Sequence, residues 1–213
     1  MSEEQNDILD ESLKTSRYKE IVDILLKDYR NRLGEISLVV SILGEGFPKG
    51  KDCWETDYSA CLTCSETCDY SKKRKYLKEY IEEELNSHVL FMEQLEFIHP
   101  SLEEVLFLEE NPDIDLIIIF PESYGSISEF INFSNNQKIA HRLRVFVKPR
   151  YHPLISDKKS FLRNSLLIFL SKYGHVYSYE VDDKYEDLTK KVHKLISSYR
   201  VIKYKESKKQ NNN

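Results

Sequence analysis

The chain has 213 residues, is 40% apolar and carries a formal charge of -5. That length suits one α/β domain with extensions. The acidic balance argues against a general nucleic-acid binder, and no apolar run reaches the roughly 18 residues that a membrane-spanning helix needs. Residues 1–11 are acidic and polar, unlike a signal peptide, so a disordered N-terminus and a cytoplasmic location are expected.

From residue 12 to 34 apolar side chains recur at helical spacing: Tyr18, Ile21, Val22, Leu25, Leu26, Tyr29 and Leu33. An N-terminal helix is predicted there, ending at Gly34 and packing on the domain or on a second copy of itself. Residues 36–43 are almost continuously apolar, as in a strand covered on both faces. Gly44 and Gly46 follow. A strand ending in such a loop brings backbone N–H groups close to a phosphate, so both glycines are candidate substrate-binding positions. The spacing falls short of a full Gly-x-Gly-x-x-Gly pattern.

Residues 47–70 are too long and too polar for a simple connection and read as an inserted loop. They hold all four cysteines: Cys53, Cys61, Cys64 and Cys68. Four thiolates match a closed tetrahedral zinc site, and Cys61-x-x-Cys64 is a common half-site. A structural zinc ion is the leading expectation, with an iron–sulfur cluster, free thiols or a conditional disulfide as alternatives. A closed four-Cys site has no open position, so a metal there would staple the loop rather than do chemistry. No organic cofactor is expected.

A helix is predicted over residues 71–86 and a strand over 88–92. The next helix, 101–110, opens with Ser101 and Glu104 at capping-box spacing and is stopped by Pro112. The most apolar strand, 114–120, leads through Pro121 and Gly125 into a helix over 126–135. A strand at 144–148, a helix at 161–173 closed by Gly174, a strand at 176–181 and a helix at 188–199 complete the pattern. Lysines 203, 205, 208 and 209 and three asparagines form a predicted flexible tail over 203–213.

Strands alternating with helices predict an α/β fold over 35–202. The expected architecture is a Rossmann-like or flavodoxin-like five-stranded parallel sheet, order 2-1-3-4-5, with helices on both faces. The order reverses between strands 1 and 3, so their C-terminal loops flank one crevice where ligands bind. Glu129 opens the helix on one side of that crevice and is the leading catalytic candidate. Carboxylates attack an anomeric carbon or stabilise an oxocarbenium-like centre in glycosyl transfer. Ser126 with Glu129 also fits a capping box, a purely structural role. Glu109 is a second catalytic candidate. Glu122, Ser123, Tyr124, Gly125 and Ser126 line the same loop as candidate substrate contacts. Arg74, beside Lys72, is a candidate bidentate phosphate ligand, against the plainer reading of a solvated basic turn. Asp115, His141 and His152 read as structural.

The run from Asp115 through Ile119, Phe120, Pro121, Glu122, Ser123, Tyr124, Gly125 and Ser126 to Glu129 and Phe130 resembles nucleoside 2-deoxyribosyltransferase-like proteins. Leu108, Glu109, Phe133, Lys148 and the segment Ser160-Phe-Leu extend the likeness, which covers roughly residues 103–181. The nearest group is the retron-associated effectors of anti-phage defence, related to SLOG and TIR-like folds. The resemblance implies cleavage of an N-glycosidic bond in a nucleoside, nucleotide or NAD, with Glu129 matching the carboxylate of the Gly-Ser-x-x-Glu element. Relatives usually continue Glu-Leu-Gly, whereas here Glu129 is followed by Phe130 and Ile131. By analogy the partners are a nucleotide or nucleoside substrate, a second copy of the chain, and a complex with the retron reverse transcriptase and non-coding RNA; no membrane is implied. A nucleotide sensor without catalysis and a zinc-stapled protein-interaction module are the alternative functions.

Overall fold

A computed structural model describes residues 3–47, 58, 69–95, 97, 99–157, 159–180 and 185–210. The chain divides into two compact units, Ser37–Tyr199 and the pair of segments Met1–Ile36 with Arg200–Asn213.

The larger unit is built on five parallel strands in the order β2-β1-β3-β4-β5. These are β1 (Val39–Leu43), β2 (His88–Leu90), β3 (Leu116–Ile119), β4 (Leu143–Val147) and β5 (Val176–Ser178). The expected fold class and strand order are both present. Apolar continuity is the cause: every residue of β3 and β4 is buried, as strands sandwiched between two helix layers must be. Each fully buried Ile or Val favours folding by roughly 1.5–3 kcal/mol. Both central strands begin at a shared pin, because the Asp115 carboxylate accepts from the Val39 N–H at 2.9 Å while the Asp115 N–H donates to the Val39 carbonyl at 2.9 Å. Asp115 is structural, as its place at the entry of the strand suggested.

Among the described residues the helices are α1 (Glu3–Gly34), α2 (Asp69–Glu79), α3 (Pro100–Glu110), α4 (Tyr124–Asn135), α5 (Gln137–Ala140), α6 (Phe161–Tyr173) and α7 (Glu186–Gln210). A π-helical turn, Tyr80–Glu84, continues α2, and short 3-10 turns follow β2 (Met92–Leu95) and β4 (Pro149–Tyr151). Phe130 and Phe133 of α4 and Leu166 and Phe169 of α6 are buried in one cluster with Leu143 and Val145 of β4. Helix α6 carries the two signals read from sequence. The Ser160 hydroxyl accepts from the Arg163 N–H at 3.1 Å, and Gly174 closes the helix at φ +74, where a Cβ would be strained.

Several boundaries differ from expectation. The N-cap position of helix α3 is His99, with Pro100 in its first turn, so the helix begins one residue before the start expected at Ser101. Proline at this position needs no N–H partner and fixes the entry without a side-chain cap. Helix α1 begins at Glu3, within the stretch expected to be disordered, and α7 runs to Gln210, through lysines expected to form a tail. Helix α5 has no sequence signal beyond Asn136, whose side chain accepts from the Lys138 N–H at 3.0 Å.

In the smaller unit α1 leaves Tyr18, Ile21, Leu25 and Leu26 exposed, Tyr29 meets Tyr204 edge to face at 6.2 Å, and the Arg200 guanidinium donates to the Ile36 carbonyl at 2.9 Å. No helix among the described residues is long and apolar enough to cross a membrane.

Candidate functional site

The strand order reverses between β1 and β3, and their ends are level: Leu43 pairs with Ile119, and the Phe120 N–H donates to the Leu43 carbonyl at 3.1 Å. Ligands bind where an open α/β sheet divides in this way. Three pieces of chain meet here: the loop after β1, the β3–α4 junction, and the turn after β2.

The junction is set by two serines. Ser123 is the N-cap of α4, in extended conformation, and its hydroxyl accepts from the Ser126 N–H at 3.2 Å. The Ser126 hydroxyl accepts in return from the Ser123 N–H at 3.0 Å and the Glu122 N–H at 3.1 Å. This reciprocal pair is the capping box. The helix therefore starts at Tyr124, two residues earlier than predicted, and Glu129 takes no part in the cap. A hydroxyl at the third helical position does what the pattern assigned to a carboxylate. Glu129 lies well inside the helix, half-buried.

Around Glu129 stand Glu104 of α3, Glu93 of the turn after β2, and Arg74 of α2. Burial pushes the Glu129 carboxyl up to about 7; the Arg74 charge pulls against this and Glu93 adds to it. Glu104 is also pushed up to about 7, chiefly by burial and then by the charges of Glu129 and Glu93, with Arg74 opposing. The two carboxyls are coupled through their charges and so titrate as a pair.

Arg74 is the floor of the site. It is 1% exposed and not a solvated turn. Its guanidinium grips Glu93 with two bonds, Nη1 to Oε1 at 2.7 Å and Nη2 to Oε2 at 2.9 Å, and donates to the carbonyls of Glu45 at 2.9 Å and Ile42 at 2.8 Å. Phe47 and Phe91, which meet each other edge to face at 5.1 Å, pack against it with ring centres 4.7 and 4.9 Å away. The fork geometry expected to hold a phosphate is engaged by a carboxylate of the protein. Gly44 lies close against this arrangement: a Cβ there would lie at ordinary contact distance, 3.4 Å from Arg74 Cδ and 3.5 Å from Phe120 Cβ. Among the described residues, no atom lies within 4 Å of a Cβ placed at Gly46.

Glu122 faces away from solvent. It pairs with Lys73 Nζ, accepts from the Tyr179 hydroxyl at 2.7 Å and lies 3.9 Å from Lys148 Nζ. Its side chain, expected as a substrate contact, is 4% exposed and engaged in an internal ion pair. Burial pulls the Lys73 ammonium below its ordinary range against the pull of Glu122. Tyr124, by contrast, is 96% exposed at the start of α4, beside Gly125.

Glu109 stands elsewhere. It lies in the last turn of α3, bonded to Lys138 at 2.6 Å and Asn136 at 3.0 Å, and the lysine holds its carboxyl below the usual range. Helix α3 runs back toward the entry of β3, which carries Glu109 away from the crevice and leaves Glu104 beside it. His141 caps α5 from the surface, and His152 is buried against the Val176 carbonyl at 3.3 Å. Cys53, Cys61, Cys64 and Cys68 lie outside the described residues. Among the described residues no group of three or more His, Cys, Asp or Glu side chains is placed to hold a metal ion.

Sequence reasoning missed Glu104, Glu93, Lys73 and Tyr179. Glu104 was hidden by its spacing from Ser101, which invited a cap. The other three belong to no local pattern, and only the doubling of basic residues at 72–75 marked that turn of α2. Residues 70–213, about two thirds of the chain, match the protein family described as STM3845 retron effector protein. No curated protein matches the chain.

Proposed function

The chain belongs to the STM3845 retron effector family, and from that premise we propose that it cleaves an N-glycosidic bond in a nucleoside, nucleotide or NAD as an effector of anti-phage defence. The observation that carries this reading is the pair Glu129 and Glu104, two half-buried carboxyls held near neutrality at the dividing point of the sheet. Carboxyl groups with raised pKa values are suited to move protons at physiological pH.

In this mechanism Glu129 is the anion. Its carboxylate faces the anomeric carbon and stabilises the positive charge that develops as the C–N bond lengthens, or bonds to that carbon directly. Glu104 supplies the proton that the departing base takes up. Water or a second base then completes the exchange at the anomeric carbon, giving a hydrolase or a transferase outcome. The low-dielectric setting that raises both carboxyls also strengthens the attraction of Glu129 for an oxocarbenium-like centre. The Arg74–Glu93 pair keeps the floor of the crevice neutral overall. The N-terminus of α4, with exposed Tyr124 and Gly125, suits the sugar or its phosphate.

A second reading is a sensor that holds the nucleotide without cleaving it. It rests on the position of the crevice at the dividing point of the sheet, because the charges of Arg74 and Lys73 are already matched by Glu93 and Glu122. Ligand-dependent thermal stabilisation with the ligand recovered intact would establish it. The proposal extends to a complex with the retron reverse transcriptase and non-coding RNA, which rests on family membership. The activity is tested by chromatography of NAD and mixed nucleotides after incubation with the protein, with Glu129→Gln as control.

A further inference from the structure

Two consecutive cations of α2 reach in opposite directions. Arg74 ties down the loop after β1 and the turn after β2. Lys73 reaches the other wall: its Nζ pairs with Glu122, donates to the Tyr179 hydroxyl at 3.1 Å, and lies 4.8 Å from the centre of the Phe120 ring. Tyr179 follows β5, packs edge to face on Phe120 at 5.6 Å, and is 1% exposed. The cluster therefore joins α2, the end of β3 and the end of β5 below the surface. Glu122 in turn is locked to α4, because its N–H donates to the same Ser126 hydroxyl that closes the capping box.

A buried ion pair is weak as a stability device, since desolvation offsets much of its attraction. Its merit here is geometric. Lys73 and Tyr179 fix the Glu122 carboxylate, Glu122 and Ser126 fix the first turn of α4, and that helix carries Glu129. We infer that Lys73, Glu122 and Tyr179 form a positioning device that holds Glu129 in register with the crevice, rather than contacts for substrate. The inference rests on the reading of Glu129 as the reacting carboxylate, and it deepens that reading by naming what orients it.

The test uses the full chain carrying Lys73→Met, read in two ways. Misplacement of a reacting group by about 1 Å costs up to about a hundredfold in rate, so turnover is expected to fall ten- to a hundredfold with KM changed less than about threefold. Independently of turnover, carboxyl 13C NMR follows the titration of Glu129, which is faced by Glu104 from α3, Glu93 from the turn after β2 and Arg74 from α2. Loosening the start of α4 lets water reach the carboxylate, so its midpoint is expected to drop toward the ordinary carboxylate range. A folded Lys73→Met protein with wild-type turnover and an unmoved Glu129 midpoint would overturn the inference. If the wild type releases no base but the midpoint moves, the positioning role stands and the cleavage reading falls. Where Lys73→Met does not fold, Tyr179→Phe keeps the ion pair and removes two hydrogen bonds, the one donated to Glu122 and the one accepted from Lys73; an unmoved midpoint in that variant also overturns it.

Discussion

Glu129 and Glu104 are expensive residues to bury, and the expense depends on pH. Each has a folded-state midpoint of about 7, well above the usual value for an unfolded glutamate. The folded protein therefore binds more protons than the unfolded chain between about pH 4.5 and 7, and stability from these groups is lost as pH rises through 7. Replacing Glu129 by Gln removes that loss. At pH 8 the variant is expected to be more stable than the wild type by on the order of 2 kcal/mol, or roughly 4–8 °C in Tm, with the difference vanishing near pH 4.5. Thermal melts across that range check it, and equal melting at both pH values would show that Glu129 is solvated. A variant stabilised in this way would mark Glu129 as a residue that does not serve the stability of the fold. The sequence revealed Glu129 but misread its neighbourhood. A Ser-x-x-Glu pattern depends on local spacing alone, whereas the true cap is decided by where β3 ends and by a second serine that supplies the box.

Elements were read where one face or the whole length is apolar. The five strands and the helices between them follow from that patterning. Their ends depend on contacts that a local pattern does not contain, such as Pro100 entering α3 after His99, or Asn86 closing the turn after α2 at φ +40. The packing of α2 against the end of β1 is of the same kind. Nothing near Arg74 in sequence announces Glu93, nineteen residues later, as its bidentate partner. Gly44 measures how closely those elements meet. A single methyl would lie at ordinary contact distance, 3.4 Å from Arg74 and 3.5 Å from Phe120, so Gly44→Ala is expected to be nearly neutral. The branched side chain of Gly44→Val has no such room and should cost about 1–3 kcal/mol. Chemical denaturation of the two variants distinguishes them; equal stability would mean that the loop moves away from Arg74 freely.

At the scale of the whole molecule, strand order was the most legible feature, because an alternating series with buried strands leaves few topologies open. That order brings Gly44 and the β3–α4 junction to one place. What it could not show is which side chains at that place are already engaged by protein. The proposal of a structural zinc rests on four thiols between positions 53 and 68 and expects one zinc per chain by elemental analysis, lost in Cys61→Ser with Cys64→Ser; metal-free wild-type protein purified without chelator would refute it. The central claim, however, concerns the crevice. Its most direct measurement is base release from NAD and mixed nucleotides, followed by chromatography, for the wild type and Glu129→Gln, each alone and with the retron reverse transcriptase and non-coding RNA. Free base from the wild type, reduced about 10²–10⁴-fold in the variant, is the expected result. Equal release by both proteins, or none from the wild type under either condition, would contradict it.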